Sequence, residues 1–350
     1  MDQTVWVKNI EDITQLAFLG RYSKEHPAGS LRWPLNGIEI NIRCSHLSVE
    51  LNTVGNGTPN WMAVFCDQAL IARFTLLEGK HWYPVLSGMD SSVSHVITIV
   101  NDTQPTLWNG MRSEICSLRS DGELLDLPEP SYHFEFVGDS LTSGEGCIGP
   151  KSAKEWRSIW MGPSLGYAHH VCTQMNARGS LLSHSGWGVY CGWDGTRDYN
   201  MPRVYDQLCG IVPEEEGRVP YHFPQEMDAV IINLGTNDIG SLQKLNDDEK
   251  ALRLDAVQQS VTAFLRHLRS RHPNAYLLWV YGMCGHDCIK TLEDGVKAAQ
   301  ADGDDRIGFL TLPSCTWEES GSVNHPGPKN HEKAAQVIIA HLRNVLPSKE

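Results

Sequence analysis

The stretch Phe134-Glu135-Phe136-Val137-Gly138-Asp139-Ser140-Leu141 determines how the second part of this chain is expected to fold. Its apolar residues predict a buried strand, and the glycine and polar residues after it predict a turn. Because ligands of open α/β sheets bind beyond the carboxyl ends of the strands, Ser140 is expected at a site. The alternative is that Ser140 caps a following helix, since serine is favoured at helix N-termini.

Strands and helices are predicted to alternate after this stretch. Apolar runs predict strands over residues 132–137, 228–234, 275–280 and 307–312. Apolar residues at helical spacing between Leu254 and Leu268 predict one helix, and residues 332–346 predict a closing helix. Such alternation is typical of an α/β fold, in which helices cover both faces of a parallel sheet.

The first third of the chain has a different pattern, which predicts an all-β domain. Short runs rich in β-branched and aromatic residues recur over 37–42, 47–51, 61–65 and 96–100, with glycine-containing turns between them. This spacing is typical of a sandwich or jelly roll. The proline- and acid-rich residues 126–130 resemble a linker. We therefore predict an N-terminal domain over 1–128 and a second domain over 132–350.

Composition excludes several classes of partner. The chain of 350 residues carries a formal net charge of −13 and has no basic stripe, which disfavours nucleic acid and anionic membranes. No apolar run is long enough to span a membrane, and the N-terminal residues do not resemble a secretory signal. We therefore expect a cytoplasmic protein that acts on a neutral substrate.

The ten cysteines lack the spacing of a disulfide framework and are expected to be free thiols. The segment Cys284-Gly285-His286-Asp287-Cys288 gathers groups that bind metals. It lacks the paired CxxC spacing of a zinc site, and no second cluster completes it. We therefore expect neither a metal nor another cofactor.

Three further blocks suggest partners for Ser140. Asn237 follows a predicted buried strand and would supply an amide donor to an oxyanion, although Gly, Asn and Asp are also common in plain turns. Gly186 permits a close approach of its main-chain N–H. His325, in the loop before the closing helix, would be the base that activates a serine hydroxyl, whereas His331 is expected in the first helical turn.

In this order the four blocks resemble those of the SGNH (GDSL-type) hydrolases. The resemblance implies a flavodoxin-like, three-layer parallel sheet. It also implies that Ser140 is the nucleophile and His325 the base. The oxyanion hole would be formed by the Ser140 N–H, Gly186 and Asn237. The resemblance covers residues from about 132 to the C-terminus.

Other stretches resemble carbohydrate esterase family 2, in which a jelly-roll domain precedes the SGNH domain. Among them are Trp33-Pro34-Leu35-Asn36-Gly37 and Asn200-Met201-Pro202-Arg203. The resemblance implies a serine esterase that removes O-acetyl groups from carbohydrates, such as hemicellulose-derived oligosaccharides or polysaccharides. Two alternatives stay open: a lipase or thioesterase of the SGNH type, and a sugar-binding protein without catalysis.

One departure from the SGNH pattern concerns the acid that orients the base. Many members carry an Asp three residues before the histidine, where this chain has Ser322. An Asp there would hold the imidazole and stabilise its cation. The departure implies a Ser–His dyad, assisted by a main-chain carbonyl in some family members, or another partner. Glu318 and Glu319 are the upstream candidates.

Tryptophans near the predicted site are candidates for sugar binding. Sugar rings pack on indole, which also offers an N–H donor. Trp187 directly follows Gly186 and is the preferred platform, with Trp160 and Trp193 next. The alternative for each is core packing, because tryptophan is highly buried on average.

Overall fold

A computed structural model of the chain describes residues 5–22, 31–55, 57–105, 112–211 and 218–349. The chain forms two compact units. The first contains residues 1–129 together with 157–159 and 208–221, and the second contains the rest of 130–350. The two short segments join the first unit through tryptophan side chains. The indole N–H of Trp33 donates to the Leu208 carbonyl (2.8 Å), and that of Trp61 donates to Ser158 Oγ (3.3 Å).

The first unit is built from antiparallel strands in two sheets. Alternating residues of strands from both sheets point into one apolar core, which includes Ile38, Ile40, Leu47 and Val49. The predicted antiparallel β-rich domain is therefore confirmed, while its jelly-roll connectivity stays a prediction. One sheet has the order β1-β9-β4-β7, and the other has the order β10-β3-β8-β5-β6 with β2 paired to β3. The strands are β1 Trp6–Asn9, β2 Leu16–Leu19, β3 Gly37–Arg43, β4 His46–Val54, β5 Trp61–Cys66, β6 Ala69–Thr75, β7 Gly79–Ser87, β8 His95–Asn101, β9 Arg112–Ser120 and β10 Glu123–Leu125.

The second unit contains the parallel sheet predicted from the sequence, with the order β12-β11-β13-β14-β15. This is the flavodoxin-like order, and its topological switch point lies between the first and third strands of the sheet, here β11 and β13. The β13 strand is buried along its whole length, as its apolar run predicted. The strands are β11 Tyr132–Gly138, β12 Ala177–Ser183, β13 Ala229–Asn233, β14 Tyr276–Tyr281 and β15 Ile307–Thr311.

Helices complete a three-layer α/β/α arrangement: α1 packs on α5, and α3 packs on α4. A capping box between Asn246 and Glu249 fixes the start of α3, whose apolar face is buried. Pro328 starts α5, four residues before the predicted start of the closing helix. No helix in the described ranges is long and apolar enough to cross a membrane. The helices are α1 Tyr167–Gln174, α2 Thr236–Gly240, α3 Asp247–Arg271, α4 Ile289–Gln300 and α5 Pro328–Val345.

The strand β12 is not predicted by the sequence pattern. Its sequence, Ala-Arg-Gly-Ser-Leu-Leu-Ser, contains no β-branched or aromatic residue and therefore has a weak strand propensity. The strand forms because β11 pairs with it from Tyr132 to Gly138, at the edge of the sheet. Tertiary pairing thus overrides local preference in the strand that leads to Gly186.

Candidate active site

Three of the predicted site residues follow neighbouring strands of the parallel sheet. In the register of the sheet, Gly138 lies opposite Ser183 of β12 and opposite Asn233 of β13. Ser140, Gly186 and Asn237 come shortly after these three aligned positions. All three therefore lie at the carboxyl edge, and Ser140 and Asn237 flank the switch point.

Ser140 and His325 form the hydrogen bond that a nucleophile and its base require. The Oγ atom of Ser140 lies 2.9 Å from Nε2 of His325, and Ser140 is 6 % exposed. No described helix begins at Ser140; the Ser140 carbonyl instead accepts from the Glu145 N–H within a series of turns. The alternative role as a helix cap is therefore wrong, and the hydroxyl is placed to transfer its proton to the imidazole.

A main-chain carbonyl orients the imidazole of His325. Its Nδ1 atom lies 2.9 Å from the Val323 oxygen, which can only accept, so Nδ1 carries the proton. This tautomer leaves Nε2 free to accept the proton of Ser140. The geometry is that of a Ser–His dyad with carbonyl support, one of the two arrangements that the missing Asp implies.

The other upstream groups have different roles. Ser322, at the position of the missing Asp, is buried and donates its hydroxyl to the Ile148 carbonyl (2.9 Å). Glu319 binds Lys333 and accepts from the Thr316 N–H in the capping box of a short 3₁₀ turn. Glu319 is thus engaged elsewhere and Glu318 is exposed, so neither finds support as a partner of His325.

Residues 321–327, here called the histidine loop, hold an unusual backbone. Val323 and Asn324 adopt φ angles of +56° and +59°, which are uncommon for residues other than glycine and especially for a β-branched one. The Ser322 N–H donates to the Gly146 carbonyl (2.9 Å), and the Val323 N–H donates to the Ala153 carbonyl (2.9 Å). These bonds turn the Val323 carbonyl toward His325.

Glycine is needed at position 146 for the histidine loop to pack. Gly146 has a φ of +73°, and a Cβ atom there would lie 2.3 Å from the Ser322 oxygen and 2.7 Å from the His325 Cβ. Any side chain would therefore collide with the loop that carries the base.

Glu145, which no sequence motif singles out, also lies beside the base. One of its carboxylate oxygens lies 3.8 Å from Nδ1 of His325, and its side chain is only 8 % exposed. Glu145 precedes His325 by 180 positions, and only the fold brings the two together. No spacing rule would have found it.

Residues 184–200, here called the glycine loop, contain Gly186 in the left-handed conformation with a φ of +81°. Its carbonyl accepts from the Trp193 N–H (3.0 Å). Within the described part of the chain, neither the Gly186 N–H nor the Ser140 N–H has a hydrogen-bond acceptor. Two main-chain donors at the sheet edge are thus available for a developing oxyanion.

Asn237 lies in α2 rather than in a plain turn. Its amide nitrogen donates to the Trp187 carbonyl (2.9 Å) and to Asp139 Oδ2 (3.2 Å). Both of its hydrogens therefore have protein acceptors, and donation to an oxyanion would require one of them to be redirected. Its predicted oxyanion role stays a prediction.

Two buried carboxylates support the edge of the sheet. The pKa of Asp139 is raised to about 7, mainly because the carboxyl group is buried. The Asp238 and Glu145 carboxylates also raise this pKa, whereas the hydrogen bond from the Leu141 N–H lowers it. Burial also raises the pKa of Asp238, although Asp238 accepts hydrogen bonds from main-chain N–H groups of the glycine loop, and these bonds oppose the shift. These donors are the main-chain N–H groups of Val189, Tyr190 and Cys191, at 2.8–3.0 Å.

The tryptophans differ from the predicted ranking. The preferred platform, Trp187, is 4 % exposed and stacks on Tyr199, so its burial argues against it. Trp193 is 63 % exposed, and its ring lies beside Gly186, 2.9 Å from where a Cβ would stand. Trp160 is half-buried and covers Gly149. The exposed ring beside the candidate oxyanion glycine is therefore that of Trp193.

The Cys284–Cys288 segment does not form a group of potential metal ligands among the described residues. One such group of three lies in the first unit and consists of Cys66, Asp67 and His95. There Asp67 bonds to His95 and to the Val96 N–H, which links the β5–β6 turn to β8. These bonds explain the cluster as a structural feature of that turn.

The fold and the edge of its sheet define the class of the GDSL-type hydrolases. The family model described as GDSL-like lipase/acylhydrolase matches residues 136–309. The acetyl xylan esterase Est2A from the rumen bacterium Butyrivibrio proteoclasticus has 31 % identity and a TM-score of 0.93, over 97 % of this chain and 98 % of that chain. The chain belongs to the GDSL-like (SGNH) lipase/acylhydrolase family, a family of carboxylic ester hydrolases.

The two-domain architecture is shared with carbohydrate esterase family 2, as the sequence suggested. A family two carbohydrate esterase from Clostridium thermocellum, solved with cellohexaose, has 21 % identity and a TM-score of 0.80, over 94 % of this chain and 98 % of that chain. At this identity the likeness shows the fold alone. The cellulase/esterase CelE of Acetivibrio thermocellus is 23 % identical over 361 residues, 96 % of this chain. This chain spans 40 % of that curated relative's length.

Proposed function

We propose that this protein is an esterase that removes O-acetyl groups from carbohydrates through an acyl-enzyme on Ser140. The observation that carries the proposal is the 2.9 Å bond between Ser140 Oγ and an imidazole whose other nitrogen faces the Val323 carbonyl. This pair has the geometry and the tautomer that a serine nucleophile needs. The similarity to Est2A, described as an acetyl xylan esterase, supports the acetylated carbohydrate as substrate.

The reaction follows from these groups in two halves. Ser140 Oγ attacks the acetyl carbonyl while His325 Nε2 takes its proton, and the free N–H groups of Ser140 and Gly186 face the developing oxyanion. The C–O bond to the sugar then breaks, and the imidazolium returns the proton to the departing hydroxyl. Water attacks the acetyl-serine with His325 as base, which releases acetate and regenerates Ser140.

Replacing the nucleophile tests the mechanism. We expect Ser140→Ala to lower acetate release from acetylated xylo-, manno- and gluco-oligosaccharides by about 10⁴-fold or more, with an unchanged thermal unfolding curve. Ser270→Ala, at an exposed position on α3, is the matched control and should keep full activity. Undiminished acetate release by Ser140→Ala would contradict the proposal.

The acyl group and the sugar require separate measurements. An acetyl esterase should turn over p-nitrophenyl acetate faster than long-chain p-nitrophenyl esters, whereas the reverse preference would indicate a lipase.

If Trp193 binds the sugar, Trp193→Ala should raise KM for acetylated oligosaccharides by about 3- to 10-fold, the range expected for one lost aromatic contact. KM for p-nitrophenyl acetate should not change. The equally exposed Trp317 provides the control, and equal effects of the two alanine variants would refute a specific role for Trp193.

A further inference from the structure

We propose that Glu145 is a positioning residue that stabilises the charged form of His325 during catalysis. The inference rests on the proposed function, because it concerns the base of that reaction. The Val323 carbonyl is a neutral acceptor and cannot balance the positive charge of the imidazolium, whereas the Glu145 carboxylate can.

The position of Glu145 is fixed by its backbone. Its N–H donates to the Ser140 carbonyl (2.9 Å), and the neighbouring Gly146 accepts from Ser322 in the histidine loop. The flanking Gly144 and Gly146 both have positive φ angles, so the chain turns sharply around this residue. The same short segment therefore carries the nucleophile, contacts the loop of the base and places the carboxylate.

The carboxylate and the carbonyl act on Nδ1 in different ways. The Val323 oxygen, at 2.9 Å, is the hydrogen-bond acceptor that sets the ring orientation and tautomer. The Glu145 oxygen, at 3.8 Å, lies beyond hydrogen-bond distance but carries a negative charge. At 8 % side-chain exposure this charge is poorly screened by solvent, so it stabilises an imidazolium formed at His325.

The other titratable groups around His325 do not supply this charge. His331, on α5, is buried, which lowers its pKa to about 3 and keeps it neutral. Lys154 is exposed and binds Asn324 Oδ1 (2.8 Å) in the histidine loop. Asp139 precedes Ser140, and burial raises its pKa to about 7, so near neutral pH its charge is partial. Glu145 is the carboxylate that faces Nδ1 directly.

The test is the pH dependence of kcat/KM for p-nitrophenyl acetate in Glu145→Gln. Loss of the neighbouring anion makes the imidazolium less stable. The acidic limb of the profile should therefore move to lower pH by about one unit, as for the loss of one nearby opposite charge. On the plateau, kcat should fall by about 10-fold with KM within about twofold, because the interaction is made mainly in the transition state.

Three further variants distinguish this role from a structural one. Glu145→Asp keeps the charge and should keep the acidic limb near its original pH. Glu155→Gln, at an exposed position ten residues further along the chain, should match the unmodified enzyme. If Glu145→Gln does not fold, Glu145→Met, of similar length and without charge, should show the same shift.

An acidic limb that stays in place in the neutral variants would overturn the inference, even if their activity falls, because a purely structural defect lowers the plateau alone. Full activity in Glu145→Gln would overturn it too. The proposed function fails separately, through an active Ser140→Ala. The two ideas can thus be rejected independently.

Discussion

The glycine loop and the histidine loop each present a group to the region of Ser140, but different forces hold them. A buried carboxylate, Asp238, accepts three successive main-chain N–H groups and fixes the glycine loop electrostatically. The histidine loop is fixed by main-chain hydrogen bonds, by close packing against Gly146 and by two left-handed residues. The first loop should therefore be sensitive to charge and the second to steric bulk.

Among variants that affect the two loops, the largest effect is expected from adding a methyl group at Gly146, which packs against the histidine loop. Gly146→Ala places a Cβ 2.3 Å from the Ser322 oxygen and 2.7 Å from the His325 Cβ. Displacement of His325 by even 1 Å should lower kcat by about 100-fold, because the proton transfer depends on alignment. Steady-state kinetics and a thermal unfolding curve would measure the change.

Gly240→Ala is the control for this prediction, because a Cβ at that position meets nothing within 4 Å. It should keep normal activity. A fully active Gly146→Ala would show that the histidine loop is not held by steric fit.

An intermediate effect is expected from removing the carboxylate under the glycine loop. Asp238→Ala leaves the N–H groups of Val189, Tyr190 and Cys191 without their buried acceptor. We expect the free energy of unfolding to fall by about 3 kcal/mol, since each buried donor left without an acceptor costs about 1–3 kcal/mol and relaxation recovers part of this loss. Chemical denaturation would measure it.

Asp255→Ala, at an exposed position on α3, is the matched control and should change stability by less than about 0.5 kcal/mol. If Asp238→Ala were as stable as this control, the hydrogen bonds to Asp238 would not be what holds the glycine loop in place.

The smallest effect is expected at Val323, whose main-chain carbonyl faces His325 Nδ1. Val323→Gly keeps the carbonyl and relieves the left-handed strain, while the more flexible unfolded chain offsets part of the gain. Activity should stay within about twofold, and the free energy of unfolding should be unchanged or higher by up to about 1 kcal/mol. A large loss of activity would mean that the valine side chain holds the base.

The sequence predicted much of the fold because its signals are local. The apolar run before Gly138-Asp139-Ser140 and the helical spacing from Leu254 to Leu268 were confirmed as β11 and as part of α3. The strand β12 was missed because its composition is poor in strand-forming residues and only pairing with β11 stabilises it. The segments 157–159 and 208–221 belong to the first unit, and their contacts with it include long-range indole hydrogen bonds that no periodicity reveals.

For the candidate site, four blocks in family order pointed to Ser140, Gly186, Asn237 and His325, and the structure brings Ser140 and His325 into contact. The burial of Trp187 argues against its first place in the predicted ranking of tryptophans, because sequence position beside Gly186 does not determine exposure. Trp187 turns into the protein and stacks on Tyr199, whereas Trp193 returns to Gly186 through a main-chain hydrogen bond.

By itself, the sequence determined which chemical groups this protein has. It also determined which strand each candidate site residue follows, and therefore that these residues lie at one edge of a sheet. Strand periodicity and turn chemistry are short-range properties, so they can be read directly along the chain. Only the tertiary structure determined how the base is supported. The Val323 carbonyl faces His325 because of backbone angles that neighbouring segments impose. The Glu145 carboxylate lies buried beside His325 because distant parts of the chain meet there, and both burial and charge proximity depend on such long-range packing.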